Sequence, residues 1–523
     1  MKKKIIGLLS LLILAGAAAG CRKDFLNTEP SSSLSDKRLA QSKEGITGVM
    51  NGIHNMFYMY SFGQGFGNGA LSLSTQLDFL GNTVVNSLPA IYMSNYRWTE
   101  HRDPHGTLPY YAWDYHYTVI QHCNTLLKMT AEDSKTIEPK TLQALRGEAK
   151  VVRAYCYNVL TSLFGQRYVP GTSNDTPGVI LRLLPTIDPM PRASVAECYA
   201  QIVKDIEEGI SDLEKGTPQT KKNRITIPTA YGIAARIYLM MQDYAKAEAY
   251  AGKAIQTFKG KLQSGQALLD DFNNLDATEW MWGYTQATDQ NNYYAGYAAH
   301  YSYNFNSNKV SSLRFAVNRS YYDKMGEKDV RRKWFVALDR GDKIPATGSA
   351  NYFKGGTKKP NWETTGQCIK FGVKTLGFTF MDHVMMRLGE MYYIKAEAQA
   401  RQGKVAEAAA TLNTVMKSRD PEYVADTKLS AEDLAKEIMR NKRIDMYFEG
   451  QEFFDIKRLG EVPNRLAAGN DKYMTEVAAA KFRDRNSGKN AEAMPKDAND
   501  KVWQFLIPYQ ELKGNKLCKQ NPQ

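Results

Sequence analysis

Two stretches of this chain, far apart in the sequence, carry the same pattern of small residues, and that repetition limits the fold more than any other feature. Tyr231-Gly-Ile-Ala-Ala through Ala245-Lys-Ala-Glu-Ala aligns without gaps with Tyr392-Tyr-Ile-Lys-Ala through Ala406-Glu-Ala-Ala-Ala. Ile233 matches Ile394, Ala235 matches Ala396, Ala245 matches Ala406 and Ala247 matches Ala408. In each stretch two small residues flank a break, at Gln242-Asp243 in the first and Gly403 in the second. Small side chains so placed let the two helices of a hairpin approach closely, and stacked hairpins bury a shared core. Alanine's helix propensity alone explains helices. It does not explain the matched spacing.

The same places hold small side chains in tetratricopeptide repeats, and the rest of the chain agrees with a mainly α reading. Thr141 to Phe164 is a long amphipathic segment ending before Gly165. Ser194 and Glu197 form a capping box for a helix running to about Leu213. Another helix follows Pro228. The second repeat is read as helical from near Asp382 to about Lys417, and a last strong helix runs from Ala431 to Phe448 and stops at Gly450. Trp280 and Trp282 are spaced as in a strand, with one of them expected to face the core. Between the helices lie irregular stretches: 61–105 with Gly63, Gly65, Gly67 and Gly69, the Tyr- and Asn-rich 283–315, the Gly/Lys/Thr-rich 341–377 and the polar 468–500. Long excursions from a packed scaffold usually carry function or flexibility.

The N-terminus is a leader. Lys2, Lys3 and Lys4 precede an apolar run from Ile5 to Ala19, too short to span a bilayer comfortably. The run ends in Ala18-Ala19-Gly20-Cys21, which resembles a bacterial lipobox, so Cys21 is expected to carry the lipid after cleavage. Acyl chains on that residue anchor a protein stably to a membrane. Loss of three lysines takes the formal charge from +13 to +10. The excess is spread along the chain and mixed with acids, which excludes a dedicated nucleic-acid binder. Five cysteines remain (Cys123, Cys156, Cys198, Cys368, Cys518). None forms CxxC, and they read as buried thiols.

No catalytic signature is present: there is no HExxH, GxSxG, Walker loop or zinc ribbon. His101 and His105 are four apart, but Asp103-Pro104 between them breaks any helix that would align them on a metal. No cofactor, metal or catalytic residue is therefore assigned. The aromatics of the irregular stretches say more. Tyr96 and Trp98 are grouped with Asn95, Arg97 and Arg102, and Asp78 lies upstream. Tyr293, Tyr294 and Tyr297 sit among Asn, Gly and Gln. Tyrosine offers a flat apolar face with a hydroxyl handle, which suits the C–H face of a sugar ring, while Asn, Asp and Arg bond its hydroxyls. The expected ligand site is Trp98, Tyr96, Tyr293, Tyr294 and Tyr297, with Asp78, Asn95 and Arg102 as polar contacts.

Seven short motifs recur in order along the chain. They are Asp24-Phe25-Leu26 with Pro30; Trp113, Tyr117, Ile120 and Asn124; and Gly147-Glu148-Ala149 with Arg153-Ala154-Tyr155 and Phe164-Gly165. Next come Arg387 and Glu390 with Ala396-Glu397-Ala398, then Leu412-Asn413. Arg443, Glu449-Gly450, Phe454-Asp455 and Arg458-Leu459-Gly460 follow, and Ile507-Pro508, Glu511, Asn515 and Gln520-Asn521-Pro522 close the chain. Together they resemble the SusD/RagB family of outer-membrane lipoproteins, with Leu459 where that family usually has tryptophan.

The resemblance implies a helical body of tetratricopeptide-like helix pairs plus an irregular, loop-rich ligand-binding lobe. It divides the chain into a signal peptide (1–20), a lipid-anchored tether (21–35), an N-terminal region with helical repeats (36–270) and a C-terminal region with ligand loops and further repeats (271–523). It implies a cell-surface protein that captures oligosaccharides and delivers them to a SusC-like TonB-dependent β-barrel transporter in the outer membrane, without catalysis or cofactor. Peptides or other non-sugar nutrients, as in the RagB branch, are the alternative ligands, and a periplasmic helical-repeat scaffold is the alternative role. Arg153, Arg387 and Glu390 are expected to form buried pairs on helices and to stay away from ligand.

Overall fold

The computed structural model describes residues 42–59, 69–86, 92–131, 137–290, 298–305, 315–347, 365–487 and 493–523. The N-terminal half is a run of helices: α1 (Lys43–Asn55), α2 (Gly69–Asp78), α3 (Thr107–Met129), α4 (Pro139–Phe164) and α5 (Val195–Lys215). The capping box at α5 is formed: the Glu197 N–H donates to Ser194 Oγ at 3.1 Å and the Ser194 N–H donates to Glu197 Oε2 at 2.7 Å. Helices α4 and α5 cross through a pair of glycines. A Cβ on Gly147 would lie 2.8 Å from the Gly209 carbonyl oxygen, and one on Gly209 would lie 3.0 Å from that of Gly147. No larger residue fits at either place without separating the helices.

The two repeats follow as hairpins, α6 (Ile227–Met240) with α7 (Tyr244–Thr257), and α8 (Leu388–Arg401) with α9 (Val405–Met416). Ala235, Ala247, Ala396 and Ala408 are all fully buried, as close helix approach demands. Helix α7 packs on α8, so the hairpins stack as neighbours although a long insertion separates them in sequence. Helix α10 (Ala431–Asp445) covers α8 and α9, α11 (Glu452–Leu459) turns back toward α2, and α12 (Glu476–Arg485) follows. The fold is mainly α. No helix among the described residues is long and apolar enough to cross a membrane.

The insertion builds the irregular lobe together with residues from outside it, among them Phe79, Val84, Tyr92 and Phe448. Its sheet has the order β1 (Val84–Asn86), β3 (Phe315–Val317), β5 (Gln367–Cys368), β4 (Phe335–Val336), antiparallel throughout, with Val84 opposite Val317 and Phe335 opposite Cys368. Strand β2 (Trp280–Thr285) pairs with β6 (Asp382–Arg387) as a separate ribbon. This ribbon is the seam between two cores. Trp282 and Met386 belong to the core of the helical body, whereas Trp280 and Val384 belong to that of the lobe. A register shift between Trp280 and Trp282 turns the two indoles to opposite sides. Both are buried, where one was expected to be.

Two helix boundaries differ from the sequence reading. Residues 382–387 are strand β6, because they pair with β2, and the helix starts only at Leu388. Arg387 is thus the N-cap residue of α8. Helix α10 ends at Asp445 because Phe448 has φ +58 and cannot continue it.

Lobe and hairpins are joined by a buried ionic frame. Arg387 reaches Glu279 at 2.8 Å, Asp445 at 2.9 Å and Glu449 at 2.7 Å, and Arg419 reaches Glu279 at 2.6 Å and Asp445 at 2.7 Å. Lys370 pairs with Glu449, and Arg331 pairs with Asp329 at 2.7 Å. Cations and carboxylates balance, and this balance makes burial of so many charges tolerable. Burial opposes ionisation of Asp445, but Arg419, Arg387 and Arg331 outweigh it and hold its carboxyl well below the usual range. Gly389 leaves room for the frame, since a Cβ there would lie 2.6 Å from both Arg419 Nη2 and Glu279 Oε1.

Candidate functional site

The expected N-terminal site residues lie in the interior. Trp98 is fully buried and packs edge-on against Trp503 at 5.1 Å and His101 at 5.4 Å. Tyr96 donates its hydroxyl to Asn486 Oδ1 and accepts the Asn86 N–H, while the Arg465 guanidinium stacks 3.8 Å from its ring. Asn95 bonds Gln76, and Asp78 accepts the Gly450 N–H at 3.0 Å. These four are core and interlobe positions, and none presents a face to a ligand. The apolar neighbours on α11 and near the C-terminus that cover Trp98 are distant in sequence, which is why its local polar context suggested exposure. Arg102 is a clamp: its guanidinium donates to the carbonyls of Lys501 at 3.0 Å, of Gln504 at 2.7 Å and of Pro522. Tyr293, Tyr294 and Tyr297 lie outside the described residues, as do Cys21 and the tether.

The recurrent charged motifs are structural. Glu148 holds Arg224 and His54, Arg153 pairs with Asp205 at 2.7 Å, and Arg236 pairs with Glu390 at 2.6 Å. The C-terminal motif is a lock. Gln520 and Ile507 exchange hydrogen bonds, Asn521 donates to the Phe164 and Phe505 carbonyls, and Trp113 donates to Glu511. The five cysteines among the described residues are buried and form no disulfide with one another. The described residues hold no group of three or more His, Cys, Asp or Glu placed to bind a metal.

Among the described residues, two concave regions bear on ligand binding. The first is a recess between α2, α4, α6, α8 and α11, lined by His116, Tyr155, Asn158, Arg236, Glu390 and Phe454 among others. Burial lowers the His116 pKa to about 4, so the ring is neutral; its Nδ1–H donates to the Ala112 carbonyl at 2.7 Å. That leaves His116 Nε2 as a bare acceptor, and Asn158 Oδ1 is likewise without a partner among the described residues. The space for water-sized groups is about 60 Å³, which suits a few bridging waters. It is too small for a sugar chain.

The second is an open groove of about 990 Å³, the scale of ligand sites that take several rings. One wall is the lobe turn 327–333 with β4 and residues 340–343, and the other is the turn 417–421 after α9. Its floor includes Tyr322, Phe335, Val336 and Ile369. The lobe wall is held from beneath by the ionic frame. Arg331, fully buried, bonds Asp329 and the Asn441 carbonyl, and the Val330 N–H donates to the Arg419 carbonyl at 2.9 Å. The guanidiniums of Arg319, Arg332 and Arg340 surround the Tyr322 ring at 4.9, 5.1 and 5.5 Å. Sequence reading missed this groove because its walls come from segments far apart. The run Glu327-Lys-Asp-Val-Arg-Arg-Lys333 was the one visible signal.

Comparisons with known proteins agree with this architecture. Residues 24–239 match a SusD-like family described as starch-binding and associating with the outer membrane, and residues 238–523 match the SusD family. A SusD-like carbohydrate binding protein from Bacteroides vulgatus ATCC 8482 is 24% identical with a TM-score of 0.69, over 80% of this chain and 84% of that one. A SusD superfamily protein from Bacteroides thetaiotaomicron VPI-5482 is 19% identical with a TM-score of 0.71, over 92% and 100%. A laminarin binding SusD-like protein is 18% identical with a TM-score of 0.64, over 92% and 99%. A comparison with curated proteins gives no match. Since the match over residues 238–523 takes in more than half of its length, the chain belongs to the SusD family.

Proposed function

We propose that this protein is a lipid-anchored, cell-surface glycan-binding component of a nutrient-uptake system, which captures oligosaccharides and passes them to a SusC-like TonB-dependent β-barrel transporter. One observation carries the reading. The family match extends through the inserted lobe as well as the helical scaffold, and the structural relatives matching over the same span include proteins described as carbohydrate-binding and laminarin-binding. In this reading Cys21 carries the outer-membrane anchor and the body faces the cell exterior. Binding alone is the role, since capture and release need only reversible contacts.

Tyr293, Tyr294 and Tyr297 are the proposed sugar-stacking residues. Their segment leaves the end of β2 and returns at Ser302 and Asn304, which are pinned to the Val373 backbone. The lobe therefore holds both flanks. The test is calorimetry of the mature protein, beginning at Arg22, against neutral and acidic polysaccharides. Binding is expected, and Tyr294→Ala should weaken it by about 0.5–1.5 kcal/mol while the melting temperature stays unchanged. A folded protein silent toward every polysaccharide, yet binding peptides, would overturn the glycan reading.

A further inference from the structure

The groove between the lobe and the second hairpin carries a charge imbalance that the rest of the molecule does not explain. Lys328, Arg332, Lys333, Arg340, Lys343 and Lys417 line it, together with Arg419, Glu327, Asp329 and Asp342. Two of these charges are already neutralised. Asp329 is buried against Arg331, and Arg419 is consumed by Glu279 and Asp445; Asp342 accepts the Ala337 N–H at 2.9 Å and remains a carboxylate on the rim. Arg332 and Arg340 share the exposed carboxylate of Glu327, each at 3.4 Å, and Arg340 also reaches Asp323 at 3.6 Å. Lys328, Lys333, Lys343 and Lys417 are exposed and have no carboxylate partner among the described residues. They come from both walls, three from the lobe and Lys417 from the end of α9. A cleft lined by one sign of charge focuses the field and concentrates the opposite ion.

We propose that this groove is a binding site for anionic glycan, an oligosaccharide bearing carboxylates or sulfates, held by Lys328, Lys333, Lys343 and Lys417 and kept in place by the Tyr322–Arg332–Arg340 cluster on its floor. The groove's lining residues do not include the tyrosine segment, and the choice of a glycan as occupant rests on the function proposed above. Three features favour a sugar polyanion over an acidic peptide. The groove has room for several rings. Its positive charges are spread along two walls, which suits a chain with an anion on each repeating unit. The strand at its side, β4, has two residues, too short a ladder for a peptide to add to by main-chain pairing.

The test uses the mature protein and a double charge reversal, Lys333→Glu with Lys417→Glu, both at exposed positions outside the ionic frame. Calorimetry is run with oligogalacturonate, a sulfated galactan oligosaccharide, neutral laminarin oligosaccharide and poly-glutamate, each at two salt concentrations. The expected result is binding of one or both acidic glycans that weakens with salt and falls at least about tenfold in the variant. Comparison of the two acidic glycans tells carboxylate from sulfate. Neutral-glycan binding and melting temperature should not change. Acidic-glycan binding that the reversal leaves intact, or binding of laminarin alone, would overturn the groove assignment while the glycan function stands. Binding of poly-glutamate without any glycan would overturn both, and so would a folded protein that binds none of the four.

Discussion

The two hairpins share a sequence pattern and differ in what they hold. Their alanines are equivalent and all buried, so the close contact of helices is common to both. The positions between them diverge. Gly232 in α6 leaves space for Met386 of the ribbon, whose Sδ would lie 2.3 Å from a Cβ there. Its counterpart Tyr393 in α8 fills the space and donates its hydroxyl to Asp445 at 2.9 Å. Arg236 pairs with Glu390, whereas its counterpart Glu397 pairs with Arg458 at 2.6 Å, so the same place carries opposite charge. Repetition thus sets the helix spacing. Divergence lets the first hairpin grip the helical body and the second support the ionic frame that carries the lobe.

Removing Asp445 should separate the hairpins most sharply. Asp445→Ala leaves Arg387, Arg419 and the Tyr393 hydroxyl without a shared partner in a site closed to water. The expected loss is about 3–5 kcal/mol by chemical denaturation. Glu390→Ala breaks the pair that α8 makes with Arg236 of the first hairpin, where Arg236 is 13% exposed and can gain water, and should cost less, about 1.5–3 kcal/mol. Equal costs would mean that the frame gives the second hairpin no special dependence on charge.

A second experiment asks whether the repeats are equivalent where the sequence says so. Ala235→Leu and Ala396→Leu each force a large side chain between helices whose contact is closed to solvent. Each should destabilise by up to about 3 kcal/mol through overpacking, and the two values should agree. A tolerated Ala396→Leu beside a damaging Ala235→Leu would break the equivalence and show that only the first hairpin relies on close approach.

Much of this scaffold was legible because helices announce themselves locally. The capping box at Ser194, the stop at Gly165 and the repeated alanines each follow from residues within a few turns of one another. The site was less legible, for the opposite reason. Trp98 is surrounded in sequence by polar and charged residues, yet Trp503 and Phe453 cover it from several hundred residues downstream. Burial of an aromatic is a property of the whole fold. The ribbon β2–β6 was half visible: Trp280 and Trp282 signalled a strand, but Asp382 to Arg387 joins a helix with no punctuation and reads as its first turns. The groove left only the charged run 327–333 as a signal, since Lys333 and Lys417 come to line one groove only after the chain folds.

The smallest expected effect concerns two carboxylates on either side of the loop that joins α10 to α11, and it has opposite signs at the two. Asp455 is buried, which raises its pKa, but Lys442 at 2.7 Å and Arg458 at 2.8 Å outweigh burial and bring it down to about 2. Its stabilisation is therefore complete above the unfolded value near 3.8 and is lost as pH falls toward 2, an amount of about 2 kcal/mol. Asp78 faces the other way: burial first, then the nearby Glu452, push its carboxyl well above 3.8. The folded state then holds the proton more tightly than the unfolded one, and stability at this site falls as pH rises above 3.8. Asp455→Asn should destabilise at neutral pH, with the gap to wild type closing between about pH 4 and 2. Asp78→Asn keeps an acceptor for the Gly450 N–H and removes the buried acid, so it should stabilise at neutral pH, with an advantage that shrinks on acidification. Thermal melts from pH 2 to 8 measure both. Parallel pH profiles would show that the loop's charges act as one unit; crossing profiles would show that each lobe-facing segment balances its own charge, as the two hairpins do.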